Sequence, residues 1–190
     1  MVKLLVNAGA KITARNADGM RPLHLAVQEE RKSIVKLLIE LGADVTAIDR
    51  TGGTALHFAA SFYTSGVCKR LLDAGVDPNA KDLAGMTPLH WASYTGFEPV
   101  ARLLVRRGAK LDERDNEGRL PWHWAGIGVN KEVFNYLAKF VDAVGDKKDK
   151  NGAEPQLKGE SLPLTGLLFH TLNMHEPDDE EESGNVTEEG

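Results

Sequence analysis

Four dipeptides, Leu23-His24, Leu56-His57, Leu89-His90 and Trp122-His123, stand 33 residues apart without slippage. Three further markers keep the same step: Gly19, Gly52, Gly85 and Gly118; Gly9, Gly42, Gly75 and Gly108; and Ala26, Ala59, Ala92 and Ala125. A strict period in this range belongs to stacked structural units, none of which can bury its apolar faces alone. It places function on a surface rather than in a pocket.

Residues 82–114 show what one unit contains. Asp82 to Gly85 is turn chemistry, with Gly85 free to take positive φ. Thr87 can cap a helix whose first turn tolerates Pro88. Leu89, Ala92 and Ser93 fall on one helical face, small enough for a neighbour to approach closely. Gly96 breaks that helix, and a second begins near Pro99. Val100, Leu103 and Leu104 recur along it at helical spacing until Gly108 ends it. An extended loop then leads to the next Asp.

Thr87-Pro88-Leu89-His90-Trp91-Ala92 resembles the ankyrin signature T-P-L-H-x-A at period 33. Gly42-Ala43-Asp44-Val45 and Val76-Asp77-Pro78-Asn79-Ala80 are similar to the ending of that family's repeat. The resemblance implies an all-α ankyrin-repeat solenoid of stacked helix-turn-helix units with β-hairpin-like loops. It divides the array at 1–143 into a partial unit over 1–15 and repeats at 16–48, 49–81, 82–114 and 115–143.

Departures from the signature have expected consequences. Only the third full unit carries the whole motif; the others read Arg21-Pro22, Thr54-Ala55 and Leu120-Pro121. The helix-breaking Gly96 is replaced by Glu30, Tyr63 and Val129, which predicts inter-helix turns of different shape. Gly126 and Gly128 weaken the last first-helix by about 1 kcal/mol each against Ala. Trp122 replaces Leu with a bulkier side chain, which suits the C-terminal end of a stack.

At the other end, Val2, Leu4, Leu5 and Val6 read as a second helix lacking its first. That stripe implies an earlier chain start or a partner that covers it. Beyond the array, 144–160 reads as a linker or a decayed fifth repeat, since Asp149-Lys150-Asn151-Gly152 echoes Asp115-Asn116-Glu117-Gly118 one residue late. Leu164, Leu167, Leu168 and Leu172 predict an amphipathic capping helix over 161–175 that docks on the last repeat. Residues 176–190 read as an acidic, disordered tail.

Composition narrows the function classes. The net charge of −5 belongs to the tail: 176–190 holds eight acidic residues and no basic one. The 28 acidic residues less those eight leave 20 against 23 basic, a net +3 over 1–175. No face reads as strongly basic, which argues against a nucleic-acid partner. No apolar run reaches the roughly 18 residues of a membrane helix, and the N-terminus lacks the pattern of a secretory signal. The single cysteine, Cys68, excludes an intrachain disulfide framework and reads as a small core residue of a reducing compartment, the cytosol or nucleus.

His24, His57, His90 and His123 invite a metal reading. Stacked helices lie about 8–10 Å apart, while zinc takes nitrogens at roughly 2 Å, so neighbours in the ladder are poorly placed to share an ion. The family resemblance implies that each is a structural hydrogen-bonder to adjacent turn backbone. No catalytic triad order, nucleophile elbow, phosphate loop or zinc spacing emerges, and no cofactor or catalytic residue is expected. The recurring Asp residues sit at turn positions rather than as paired acids.

The resemblance also implies a concave binding face made of hairpin tips and the exposed ends of the first helices. Carried onto this chain, the partner-binding candidates are Arg50, Phe62, Leu83, Met86, Tyr94, Arg114, Arg119 and Ile127, a set rich in the arginine and aromatic residues of interface hot spots. Leu25, Phe58, Trp91 and Trp124 form a further row read as packing. The expected function is a non-enzymatic adaptor, inhibitor or complex subunit that binds a protein. A ubiquitin-ligase substrate receptor, suggested by Leu162-Pro163-Leu164 with Leu168 and Leu172, is one alternative. A constitutive subunit of a large assembly is another.

Overall fold

The computed structural model describes residues 8–62, 64–140 and 148–153. The half helix expected within 1–7, Tyr63, the capping helix expected over 161–175 and the acidic tail all lie outside the described residues. Eight helices are present among the described residues: α1 (Pro22–Gln28), α2 (Lys32–Glu40), α3 (Ala55–Ser61), α4 (Ser65–Asp73), α5 (Pro88–Thr95), α6 (Glu98–Arg106), α7 (Pro121–Ile127) and α8 (Lys131–Ala138). They pair in order. First helices α1, α3, α5 and α7 pack on one another in one row, and second helices α2, α4, α6 and α8 in another. The fold is an all-α repeat solenoid, and among the described residues its strand-like content is one antiparallel bridge between Ile48 and Thr54.

The core runs along the stack instead of gathering at one centre. Leu23, Leu56 and Leu89 are buried at equivalent positions, with Val35, Val67, Val100 and Val133 buried from the second helices. Ala26, Ala59, Ala92 and Ala125 are also buried, and their small side chains let the first helices approach closely. Trp122 fills the Leu position of the last unit by stacking on Phe134, with ring centroids 6.4 Å apart. The bulk is accommodated there, at the edge of the described stack.

Each unit begins with a tip built on one carboxylate or amide. Asp82 Oδ1 accepts the N–H groups of Ala84 and Met86, and Asp82 N–H donates to Met86 O. Asn16, Asp49, Asp115 and Asp149 repeat this arrangement, so 148–153 forms a fifth tip. Tips then bond to tips. The N–H groups of Arg50, Leu83, Asn116 and Lys150 donate to the carbonyls of Asp18, Thr51, Ala84 and Glu117 in the tip before. Gly85 is fixed twice over, by φ +73° and by Asn116 N, which lies 2.9 Å from where a Cβ would stand.

The inter-helix turns depart from the sequence expectation. Glu30 (φ 51°) and Val129 (φ 57°) adopt the left-handed conformation that Gly96 (φ 84°) takes in the third unit. All three turns close alike: the N–H groups of Arg31, Phe97 and Asn130 donate to Ala26, Ala92 and Ala125 O. The shape is retained because that bond satisfies a helix-end carbonyl, and the neighbouring unit packs against the turn. Asn130 Nδ2 donates to Ser93 O and Tyr94 O. Only the second unit differs, with Phe62 leaving α3 in an extended conformation. A β-branched residue at positive φ is strained by roughly 1–2 kcal/mol.

Two substitutions separate these constraints. Val129→Gly should leave the urea midpoint unchanged or raise it, with a gain of up to about 1 kcal/mol, against the usual direction for Xaa→Gly. Gly85→Ala should lower stability by roughly 2 kcal/mol, because strain and a backbone clash coincide. Equilibrium urea unfolding of both variants measures the difference in sign.

Candidate functional site

The four repeated histidines occupy the third position of each first helix. Their Nδ1 atoms accept the backbone N–H of the capping residue, from Arg21, Thr54, Thr87 and Leu120, at 3.0–3.1 Å. This is the back-bond that Glu or Gln supplies in an ordinary capping box. The Thr54 and Thr87 hydroxyls also lie within 2.9 Å of these rings. With Nδ1 accepting, the proton sits on Nε2, which donates to Ala47, Met86, Arg119 or Ala153 O of the following segment. In the last three cases that carbonyl also closes the next tip by accepting from Asp82, Asp115 or Asp149 N–H.

Both nitrogens of every ring are thus committed to backbone, and none is left to ligate a metal or move a proton. Among the described residues no group of three or more His, Cys, Asp or Glu is placed to hold a metal ion. Cys68 is similarly enclosed: Sγ lies 3.1 Å from Ala59 O, and burial pushes its thiol up to about 12, far from a reactive thiolate.

The partner-binding candidates divide once their contacts are known. Leu83 crowns the third tip at 68% exposure, and Arg50 is exposed on the tip before it. Met86 is corrected: at 3% exposure it belongs to the core. The fifth tip residue turns inward when its N–H bonds the Asp82 carboxylate, and Met20 is buried in the same way. Phe62 is half-buried against the core at the end of α3.

Arg114 is drawn into the scaffold. Its Nη1 donates to Gly118 O and Lys148 O, bracing two successive tips. Arg15 does the same with Gly19 O and Ile48 O. Lys81 pairs with Glu113 and reaches Arg114 O. The equivalent residue leading into the second tip is Ile48, an apolar side chain at 48% exposure.

The remaining candidates gather between the third and fourth units. Arg119 Nε donates to Asp115 Oδ2, while its guanidinium lies 4.3 Å above the Trp124 ring. Trp124 Nε1 donates to the same Asp115 oxygen, and Tyr94 meets Trp124 edge-on at 5.7 Å. Ile127 follows one turn later on α7 and is half-buried. Arg119 is therefore the cap of an aromatic cluster, its charge already balanced by a buried carboxylate. Burial raises the Tyr94 hydroxyl above its ordinary value.

Sequence reasoning placed exposed Ile48 at the entry to a tip but missed two other exposed apolar residues, Leu25 and Val129. Leu25 begins the row whose later members Phe58, Trp91 and Trp124 are buried. The Asp115–Trp124 bond did leave a trace, because Asp82 and Trp91 repeat the nine-residue spacing and the bond.

Model matches described as ankyrin repeats, in three copies, cover residues 1–82 and 56–151. The chain belongs to the ankyrin-repeat family. Ankyrin repeats are generally protein–protein interaction modules and typically non-enzymatic. Among curated proteins none matches this chain. No described helix is long and apolar enough to cross a membrane.

The histidine ladder makes the ankyrin stack acid-sensitive. Burial holds all four rings below their ordinary 6.5, and His90 falls to about 4. The unfolded chain takes up protons between those limits that the folded chain refuses. Stability is therefore full above pH 6.5 and falls on acidification, by up to about 1.4 kcal/mol per pH unit per histidine. His57→Gln, which restores the capping back-bond, should cost less stability than His57→Ala and flatten the pH dependence. Denaturant midpoints from pH 7.5 to 4.5 provide the check.

Proposed function

We propose that this chain is a binding module that acts as an adaptor, inhibitor or complex subunit in the cytosol or nucleus. It presents the concave face formed by tips and first helices to a protein partner. The observations that carry this reading are exposed Leu83 on the third tip and the Tyr94–Trp124–Arg119 cluster spanning the third and fourth units. Large aromatic and arginine side chains, held in one conformation before a partner arrives, lose little freedom on binding. Asp115 holds Trp124 and Arg119 from behind. Arg50, Leu83, Tyr94 and Ile127 are the residues proposed to touch the partner directly.

The scaffold supports this use. Tips bonded to tips and histidines bonded to the next tip form a rigid rail, so side chains on it keep their spacing without contacts of their own. Such a surface selects partners by the pattern of groups it displays rather than by enclosing a ligand.

Leu83→Ala combined with Tyr94→Ala should weaken a partner captured by the wild-type chain at least tenfold while leaving far-UV circular dichroism unchanged. Partners would be identified by crosslinking from native extract and remeasured by calorimetry. Undiminished affinity in the double variant would reject this face.

A further inference from the structure

Charge in this stack is sorted by row. The first helices, α1, α3, α5 and α7, contain no Asp, Glu, Lys or Arg. The second helices with their capping residues hold ten Lys or Arg against four Asp or Glu, a net +6. The near balance over 1–175 therefore conceals a basic face, contrary to the expectation that no face is strongly basic. Helix stability does not account for the placement. Lys32 and Lys131 open α2 and α8, where the helix dipole disfavours a cation.

The cations gather towards the later units. The register that closes the second helices reads Glu40, Asp73, Arg106 and Lys139, each 33 residues after the last, so its sign reverses halfway along the stack. Both acids are neutralised: Glu40 pairs with Lys36 at 3.7 Å, and Asp73 with Arg107 Nη1 at 2.6 Å. Arg106 and Lys139 are exposed and form no ion pair among the described residues, and the same holds for Lys69 and Arg70 on α4. The row is continuous, since Arg107 crosses to Asp73 of α4 and the Arg102 guanidinium lies 4.3 Å above the Tyr136 ring of α8. Successive rungs stand about 8–10 Å apart, the spacing of packed helices.

Three kinds of polyanion suit a basic face, and these features separate them. An extended polypeptide advances about 3.3–3.6 Å per residue, so a carboxylate on every third residue recurs at about 10 Å. Phosphates of a DNA strand recur about every 3.4 Å, and some would meet the carboxylates of Glu98 and Glu132 set among these cations. A bilayer surface is held by apolar side chains as well as by charge. The exposed large hydrophobic residues are Leu25, Ile48, Leu83 and Val129, and none lies on a second helix.

We propose that the row of second helices, centred on Lys69, Arg70, Arg106 and Lys139, binds an extended acidic protein segment with Asp or Glu near every third residue. It is a second docking surface, and it does not depend on the face that carries Leu83 and Tyr94. Exposed charges are screened over about 8 Å at physiological salt, so the contact steers a partner and sets its register more than it holds it.

Fluorescence anisotropy of the full chain with a labelled peptide of five Glu-Gly-Ser repeats, at low ionic strength, tests this. Arg106→Glu combined with Lys139→Glu, which copies the acidic register of the first two units, should weaken binding at least tenfold. Lys32→Glu combined with Lys36→Glu makes the same change of charge in the first unit and should weaken it less than threefold. No binding of the peptide, or equal loss in the two double variants, would overturn the proposal. Tighter binding of a single-stranded DNA of equal length, or of phosphatidylserine vesicles, with the same loss on Arg106→Glu and Lys139→Glu, would overturn it in favour of a nucleic acid or a membrane.

Discussion

A neutral imidazole between two backbones is the interaction on which this stack depends. The ring accepts from the N–H that opens its own helix and donates to a carbonyl in the following segment. One side chain thus ends a helix and fixes the next unit. Remove the ring and two buried backbone groups lose their partner, at about 1–3 kcal/mol each. The same geometry requires the ring to stay uncharged, because a proton on Nδ1 would face an N–H donor. Burial enforces that state, and the acid sensitivity of the fold is its direct consequence.

The tips divide their side chains between scaffold and surface by position. The first residue, Asn16, Asp49, Asp82, Asp115 or Asp149, folds its own loop. The fifth turns inward at Met20 and Met86. The second carries Arg50 and Leu83, whose backbone N–H groups are spent on the preceding tip while their side chains remain outside. Residues that display and residues that build are therefore one to three positions apart in the same loop, which lets the surface vary without touching the rail beneath it.

The 33-residue step made the architecture legible, because helix, turn, helix and tip each leave their own marker in it. The binding face was less legible, since exposure depends on which way a short loop turns. Met86 illustrates this: as a tip residue it looked available, yet its N–H bond to Asp82 swings it into the core. Met20 at the equivalent position carried the warning, since two apolar residues in one register suggest burial. Arg114 and Arg119 were legible as cations but not as braces, because their partners are backbone carbonyls and a carboxylate near in space. Val129 hid a conformation: residue type argued against the left-handed region, and the packing of Asn130 on the preceding unit outweighed it.

The step from Asp115 to Asp149 is 34 residues where the others are 33, yet Lys150 and His123 still find their partners. The stack is therefore counted at its tips, and the stretch between a second helix and the next tip serves as slack. One residue is gained between α8 and the fifth tip, and that tip keeps its bonds to Glu117 and His123. That stretch is the natural splice point of the chain, where a sequence of this kind can be lengthened, shortened or grafted without being relearned from the start.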